Sequence, residues 1–313
     1  MSIKAIKSAS REEWLKLRMG FVGGSDAAAV VGLNPFQSPY SLWAEKRGIS
    51  APFEGNLATE VGSFLEEFVA KKFENETGKK VRRNNRSLVN DKYPWALADI
   101  DREIVGENAI LEIKTTSELN TKRFKNGEYP PQYYVQVMHY LAVTEAEKGY
   151  LAVLIGNRDF RVFEIERDED EIAALMEAEK EFWGKVKDGV EPEVDGTAST
   201  TEALSEVYPK SDEDEIDLVG YDEILQHYFE LAAQIKALKE LQDEYVNQLK
   251  QYMGDAGKAK NDNYSVSWTT SVRRTFDAKA FAADHAGMDL SQWYKETSTR
   301  MFRVTERKKE EKE

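Results

Sequence analysis

The sequence has no cysteine, no apolar run long enough to cross a bilayer, and only three histidines among its 313 residues. Without cysteine there are no disulfides, no thiolate nucleophiles and no Cys-type zinc sites, and the chain suits a reducing compartment. His139, His227 and His285 are widely scattered, which argues against a histidine-rich metal site. Hard oxygen donors remain, the kind that hold Mg²⁺ or Mn²⁺. No charged-then-apolar N-terminus is present either, so the expectation is a cytoplasmic protein with neither a signal peptide nor a membrane span.

Positive charge is also in short supply. Against 57 Asp and Glu stand 43 Lys and Arg, a net charge of -14 that would ordinarily repel nucleic acid. The distribution changes that judgement: between Glu191 and Glu223 lie twelve acidic residues and the single base Lys210, together with Pro192, Gly196 and Pro209. Such a stretch reads as an acidic linker over 191–220, and it leaves the rest of the chain near neutral. A first domain over 1–190 and a C-terminal region over 221–313 follow. Within the first, Lys79-Lys80-Val81-Arg82-Arg83-Asn84-Asn85-Arg86 is a basic run that fits a solvated edge strand or a phosphate-contacting surface equally well.

The most informative stretch comes just after it. Ala98-Asp99-Ile100-Asp101 and Ile110-Leu111-Glu112-Ile113-Lys114-Thr115-Thr116 flank Val105-Gly106-Glu107-Asn108, a hairpin pattern with Gly106 free to take positive φ. A two-residue turn at Gly106 and Glu107 pairs Val105 with Asn108 and therefore sets Asp101 opposite Glu112. Facing carboxylates are destabilising unless something neutralises them, and a divalent cation would. The period of two puts Glu112 and Lys114 on one face, with Leu111, Ile113 and Thr115 on the other.

In chain order, Ser10-Arg11-Glu12-Glu13 is a capping box ahead of a helix with Trp14, Leu15 and Leu17, and Arg18 near its end. Gly23-Gly24-Ser25-Asp26 breaks it and opens a helix from Ala27 to Val31, with Ser25 or Asp26 as cap and an N-terminus that attracts anions. Ser38-Pro39 starts a third helix. From Leu57 to Thr77 a longer one carries Val61, Phe64, Leu65, Phe68 and Phe73 as an apolar stripe bordered by Glu66, with Gly62 one turn earlier leaving room for an ion or a backbone. Pro130-Pro131 opens a helix on which Gln132, Gln136 and His139 or Tyr140 share a face. A second hairpin (149–166) and a closing helix (168–186) follow.

This αβββαβ order, with Asp101 and then Glu112-Ile113-Lys114 on the second and third strands, resembles the D...(D/E)xK core of restriction-endonuclease-like nucleases: an α/β (α+β) fold with a central mixed sheet flanked by helices. The spaced motifs around it resemble the phage YqaJ-type recombination exonucleases, relatives of lambda exonuclease, over roughly residues 10 to 190. They are Arg18 through Gly23-Gly24-Ser25-Asp26, Gly62-Ser63-Phe64-Leu65-Glu66-Glu67, Leu97 to Thr116, and Gln136-Val137-Met138-His139-Tyr140. Ala98-Asp99-Ile100 stands where a Ser-Pro-type lead-in is common, and Asp99 is given no role.

The resemblance implies Asp101 and Glu112 as metal ligands with the Ile113 carbonyl. It implies Lys114 orienting or helping to deprotonate the attacking water, beside a metal that can lower its pKa, and Glu66 at a second ion or a bound water. Gln136 would hold the water or the scissile phosphate, and Arg18 with Ser25 would clasp a 5′-phosphate. It further implies a Mg²⁺-dependent (Mn²⁺-tolerant) 5′→3′ exonuclease on double-stranded DNA ends, phage- or prophage-encoded and without a membrane. The product would be 3′ single strands for an annealing protein of the RecT/beta type, made by a homotrimeric ring whose channel Lys79 to Arg86 would line. An endonuclease of the same fold, a non-cutting DNA-binding accessory module, and a plain α/β domain with solvated hairpin charges are the alternatives.

The last third has Ile224, Tyr228, Leu231, Ile235, Leu238, Gln242, Tyr245, Leu249 and Tyr252 at alternating spacings of four and three. That pattern fits a coiled coil or a helix packed antiparallel on a domain. Lys258 to Phe276 reads as a strand pair, followed by a helix and Trp293-Tyr294. Aromatic residues beside Arg273 and Arg274 fit a small core, a docking surface or single-stranded DNA contact.

Overall fold

Local signals set the helix ends in the computed structural model, which describes residues 2–285, 288–289, 291–297 and 299–306. α1 (Arg11–Met19) begins where Ser10 Oγ accepts the Glu13 N–H, while the Glu13 carboxylate reaches back to the Ala9 N–H at 2.7 Å. α2 spans Gly24–Val30 and starts earlier than expected, on Gly23. Neither Ser25 nor Asp26 is its cap: Asp26 sits inside the first turn, and its Oδ2 accepts the Gly23 N–H at 2.9 Å. α3 (Pro39–Lys46) is capped by Ser38, and α4 (Leu57–Thr77) by Asn56, ending on Gly78 at φ 72°. α5 (Pro131–Thr144), α6 (Glu169–Asp188) and α7 (Ala198–Val207) complete the helices upstream of Lys210, where the chain divides into two compact units.

The strands of the first unit are β1 (Ile3–Ile6), β2 (Val22–Gly23), β3 (Val81–Arg83), β4 (Ser87–Asn90), β5 (Ala96–Leu97), β6 (Arg102–Ile104), β7 (Ala109–Thr116), β8 (Lys148–Ile155) and β9 (Asp159–Glu166). Five of them form the central mixed sheet in the order β3-β6-β7-β8-β9, and β1-β4 and β2-β5 form two small ones. Only β7 and β8 run parallel in the central sheet, and α5 is the crossover that a parallel pair needs. The succession α4, β3, β6, β7, α5, β8 is the αβββαβ core, with β9 added at the edge.

The β6–β7 hairpin has the register that its turn implies. Arg102 pairs with Leu111 and Glu103 with Ile110, so one step further Asp101 faces Glu112, and Gly106 takes φ 87°. Leu111 and Ile113 pack with Val69, Ala70 and Phe73 of α4. On the other face Ile110 lies with Val137 and Leu141 of α5. Each such buried aliphatic or aromatic side chain contributes about 1.5–3 kcal/mol.

Two expectations are corrected. Val61, Phe64 and Phe68 are exposed and only Phe73 of the expected stripe is buried, joined by Val69 and Ala70. The C-terminal half of α4 covers the sheet, whereas Ala58, Thr59, Gly62 and Ser63 of its first half border an open cavity. The linker does not begin at 191 either. Glu191 accepts the Tyr40 hydroxyl at 2.7 Å, the Thr200 hydroxyl donates to Ser38 Oγ at 2.7 Å, and Ala203 is buried among Tyr40, Leu42 and Trp43. The apolar face of α7 docks on α3 there, and a count of charges does not register that face.

The second unit holds α8 (Asp222–Met253), the antiparallel pair β10 (Lys258–Lys260) and β11 (Ser265–Ser267), and α9 (Ala278–Asp284). Lys250 lies over the Trp268 ring at 5.7 Å, which ties the strand pair to the end of α8. No described helix is long and apolar enough to cross a membrane.

Candidate active site

The register that sets Asp101 opposite Glu112 brings the Asp101 carboxylate to the backbone of β7. Asp101 Oδ2 accepts the Ile113 N–H at 2.7 Å. Glu112, whose side chain is almost wholly buried, accepts with Oε1 from Lys114 Nζ at 2.6 Å and from Gln136 Nε2 at 2.8 Å. Gln136 Nε2 also donates to the Tyr140 hydroxyl at 3.0 Å, one turn along α5. Of the two residues that could share its face, Tyr140 is the partner; His139 turns away and bonds Glu179 at 2.7 Å and the Leu97 carbonyl at 3.0 Å. Glu112 Oε2 is buried without a hydrogen-bond partner among the described residues.

Burial first, and then the facing carboxylate, hold the Asp101 pKa well above its ordinary value. Burial likewise raises that of Glu112, against the pull of Lys114. Burial alone would lower the pKa of Lys114, but Glu112 and Asp101 outweigh it and the net shift is upward. Two carboxylates beside Lys114 therefore favour its charged form.

A second charged cluster stands at the α1–α2 junction. Arg18 Nη2 donates to Ser25 Oγ at 2.7 Å and lies 3.4 Å from Asp26 Oδ1, with the guanidinium 4.9 Å over the Trp14 ring. Asp26 Oδ2 is 2.6 Å from Lys46 Nζ, which also donates to the Arg18 carbonyl at 3.0 Å. Burial would raise the Asp26 pKa, yet Lys46 and Arg18 win and it falls below its ordinary value. The α2 backbone approaches so closely that a Cβ on Gly24 would stand 2.3 Å from Tyr140.

Arg18, Ser25, Glu66, Asp101, Glu112, Ile113, Lys114 and Gln136 all line one cavity of about 430 Å³. Glu66 is there with a partner that the sequence reading missed: its Oε1 pairs with Arg102, which is buried and also bonds Glu67 at 3.0 Å and the Asp101 carbonyl at 2.7 Å. A position next to Asp101 was the sole signal for Arg102. Gly62 gives room to the sheet, since a Cβ there would meet Thr115 Oγ1 at 3.2 Å. Asp99 accepts from Trp14 Nε1 at 3.0 Å and from the Ser87 hydroxyl, which makes it a tether for the cavity wall. The basic run is an edge strand whose Lys79, Arg82 and Arg83 meet Glu107, Glu103 and Glu66.

Among the described residues no three His, Asp or Glu side chains gather closely enough to form a complete metal cluster. The donors near the cavity still suit a hard cation. Glu112 Oε2 is buried and unbonded, and two desolvated carboxylates share one ammonium, so the site is short of positive charge.

The arrangement defines a class before it defines a family: the fold is that of restriction-endonuclease-like exonucleases. The alkaline exonuclease LHK-Exo of Laribacter hongkongensis, alone and in complex with dAMP, superposes with a TM-score of 0.50 at 21% and 22% identity, covering 57% of this chain and 94% of that one. Residues 13–147 match the YqaJ-like viral recombinase domain. Over 303 residues the chain is 40% identical to the YqaJ protein of Bacillus subtilis (strain 168), covering 95% of each. The chain belongs to the YqaJ-like viral recombinase family.

Proposed function

We propose that the chain is a metal-dependent deoxyribonuclease that digests double-stranded DNA from 5′ ends and leaves 3′ single strands for recombination. The observation that carries this reading is the single cavity shared by the Asp101–Glu112–Lys114 cluster and the Arg18–Ser25 pair. Asp101, Glu112 and the Ile113 carbonyl would hold Mg²⁺, with Mn²⁺ as a substitute, and Glu66 would stand at its margin. The ion when bound supplies a nucleophile near neutral pH and relief of charge on the phosphate oxygens. Lys114 would orient the attacking water or help to deprotonate it, and Gln136, held by Glu112 and Tyr140, would hold that water or the scissile phosphate.

Arg18 supports the polarity. Lys46 offsets the charge of Asp26, so the positive charge of the guanidinium is left for an anion. Both of its hydrogen bonds leave from Nη2, and the other N–H groups can take a phosphate in the bidentate manner that favours arginine. A protein of this fold is known with dAMP, a nucleotide of the kind such digestion would release. A ring of three copies around DNA and an annealing-protein partner of the RecT/beta type belong to the same reading.

The test is digestion with Mg²⁺ of linear duplex labelled at either end, with and without 5′-phosphate, beside a closed circle. Loss from 5′ ends alone, stimulated by 5′-phosphate, is expected. Cutting of the circle would make the protein an endonuclease, and binding without cutting would make it an accessory module.

A further inference from the structure

α5 carries one polar side chain that the proposed reaction does not use. His139 lies between Gln136 and Tyr140 in the chain, yet its ring is fully buried, as is the carboxyl group of Glu179 on α6. His139 Nδ1 is 2.7 Å from Glu179 Oε1, and Nε2 is 3.0 Å from the Leu97 carbonyl oxygen. A neutral imidazole has a single N–H, and beside an ionised carboxylate that proton sits on Nδ1, leaving the Nε2 lone pair against the carbonyl. Both contacts are hydrogen bonds only if the pair holds one proton more. Burial would lower the His139 pKa, but Glu179 and then the Leu97 carbonyl outweigh it and the net shift is upward. Burial also raises that of Glu179, against the pull of His139. Of the charged groups packed around the pair, Asp26 of α2 favours the extra proton on either partner, and Lys46 and Arg18 offset Asp26 in turn.

The contact with Leu97 joins two parts of the cavity wall. α5 presents Gln136, which donates to Glu112 and to the Tyr140 hydroxyl. β5, which ends at Leu97, is two residues long and pairs in parallel with β2, so its own ladder does little to fix it. Gly23, opposite Leu97, gives its N–H to Asp26, and four residues beyond Leu97 the chain reaches Asp101. We propose that His139 is a positioning residue: the proton it shares with Glu179 keeps its Nε2–H on the Leu97 carbonyl, which fixes α5 against the strand between the Arg18 and Asp101 clusters and holds Gln136 on Glu112. His139 so placed matters to cutting only if Asp101, Glu112 and Gln136 form the cutting centre, as proposed above.

Two paired substitutions in the full-length protein separate position from stability. His139→Phe with Glu179→Leu replaces the pair by apolar side chains of similar size, a change that buried ion pairs tolerate, and deletes the bond to Leu97. His139→Gln with Glu179→Gln removes the charge but keeps a donor where Nε2 stood. The apolar pair should lower kcat for duplex digestion by about tenfold or more, with KM within about twofold, and the amide pair should restore kcat to within about threefold of the parent chain. Without any cutting, the NMR signal of the Gln136 side-chain amide should move in the apolar pair and stay in place in the amide pair. With only three histidines in the chain, the ring signal that the amide pair lacks is that of His139. In the parent chain it should show a proton on Nε2 at about pH 7.5, one unit above the ordinary histidine value. A bare Nε2, a kcat or a Gln136 signal unmoved by the apolar pair, or an amide pair as slow as the apolar one would overturn the proposal. A thermal melt confirms the fold of each variant, and the Nε2 readout decides if the apolar pair does not fold. A parent chain that cuts no DNA would refute the proposed function, with the two NMR readouts still deciding the role of His139.

Discussion

Two buried charge clusters face the same cavity and are built on opposite balances. At Asp26 one carboxylate lies between two cations, Lys46 and Arg18, and its pKa falls. At Asp101 and Glu112 two carboxylates share one cation, Lys114, and their pKa values rise. Burial pushes all three carboxyl groups upward, so the difference lies in the number of partners. The first cluster has one positive charge in excess and holds α1, α2 and α3 together. The second is a deficit of positive charge, kept in place by a hairpin.

The sharpest test of this contrast is to neutralise one carboxylate in each cluster. Glu112→Gln should reduce DNA cleavage by about 10³-fold or more without lowering the melting temperature, because a desolvated charge is removed. Asp26→Asn should do the reverse to stability. It leaves Lys46 buried without its counter-charge, and denaturant unfolding should show a loss of about 3–5 kcal/mol. Equal destabilisation by both would collapse the distinction.

Protons and Mg²⁺ separate the clusters next. Carboxylates with raised pKa bind more protons folded than unfolded, so the metal-free protein should gain stability as pH falls from neutral toward the ordinary carboxylate range. Asp101→Asn should flatten that slope. The Asp26 contribution has the opposite sign, present above its ordinary pKa and lost as pH falls through the lowered one. Saturating Mg²⁺ should raise stability at neutral pH by about 2.7 kcal/mol at a hundred times its Kd, and a titration calorimeter that sees no binding would remove the cation from the second cluster. The smallest effect is on substrate choice: Arg18→Ala should weaken binding of 5′-phosphorylated ends about 10- to 100-fold, leaving unphosphorylated ends little changed.

Much of this was legible before any coordinates. The Asp101–Glu112 register followed from Gly106 and strand alternation, and the span of α4 from Leu57 to Thr77 from its helical spacing, because turn chemistry and periodicity act over a few residues. Other elements were misread for a common reason. Phe64 and Phe68 have helical spacing whether or not a sheet lies beneath them, and α7 sits in an acidic stretch whose Ala203 matters only because α3 receives it. Lys46 carried no pattern at all, Arg102 only its place next to Asp101, and Tyr140 stood level with His139 until α5 was packed.

By itself the sequence determined the order of elements, the facing of two carboxylates, and the alternating four-and-three spacing along α8, since these rest on periodicity and local turns. Tertiary structure decided which charges are satisfied. Lys46 completes Asp26, Arg102 takes Glu66, Trp14 reaches Asp99 across 85 residues, and among the described residues none bonds Glu112 Oε2. A charge's surroundings are set by groups distant in the chain, and that sum appears only once the chain has closed around them.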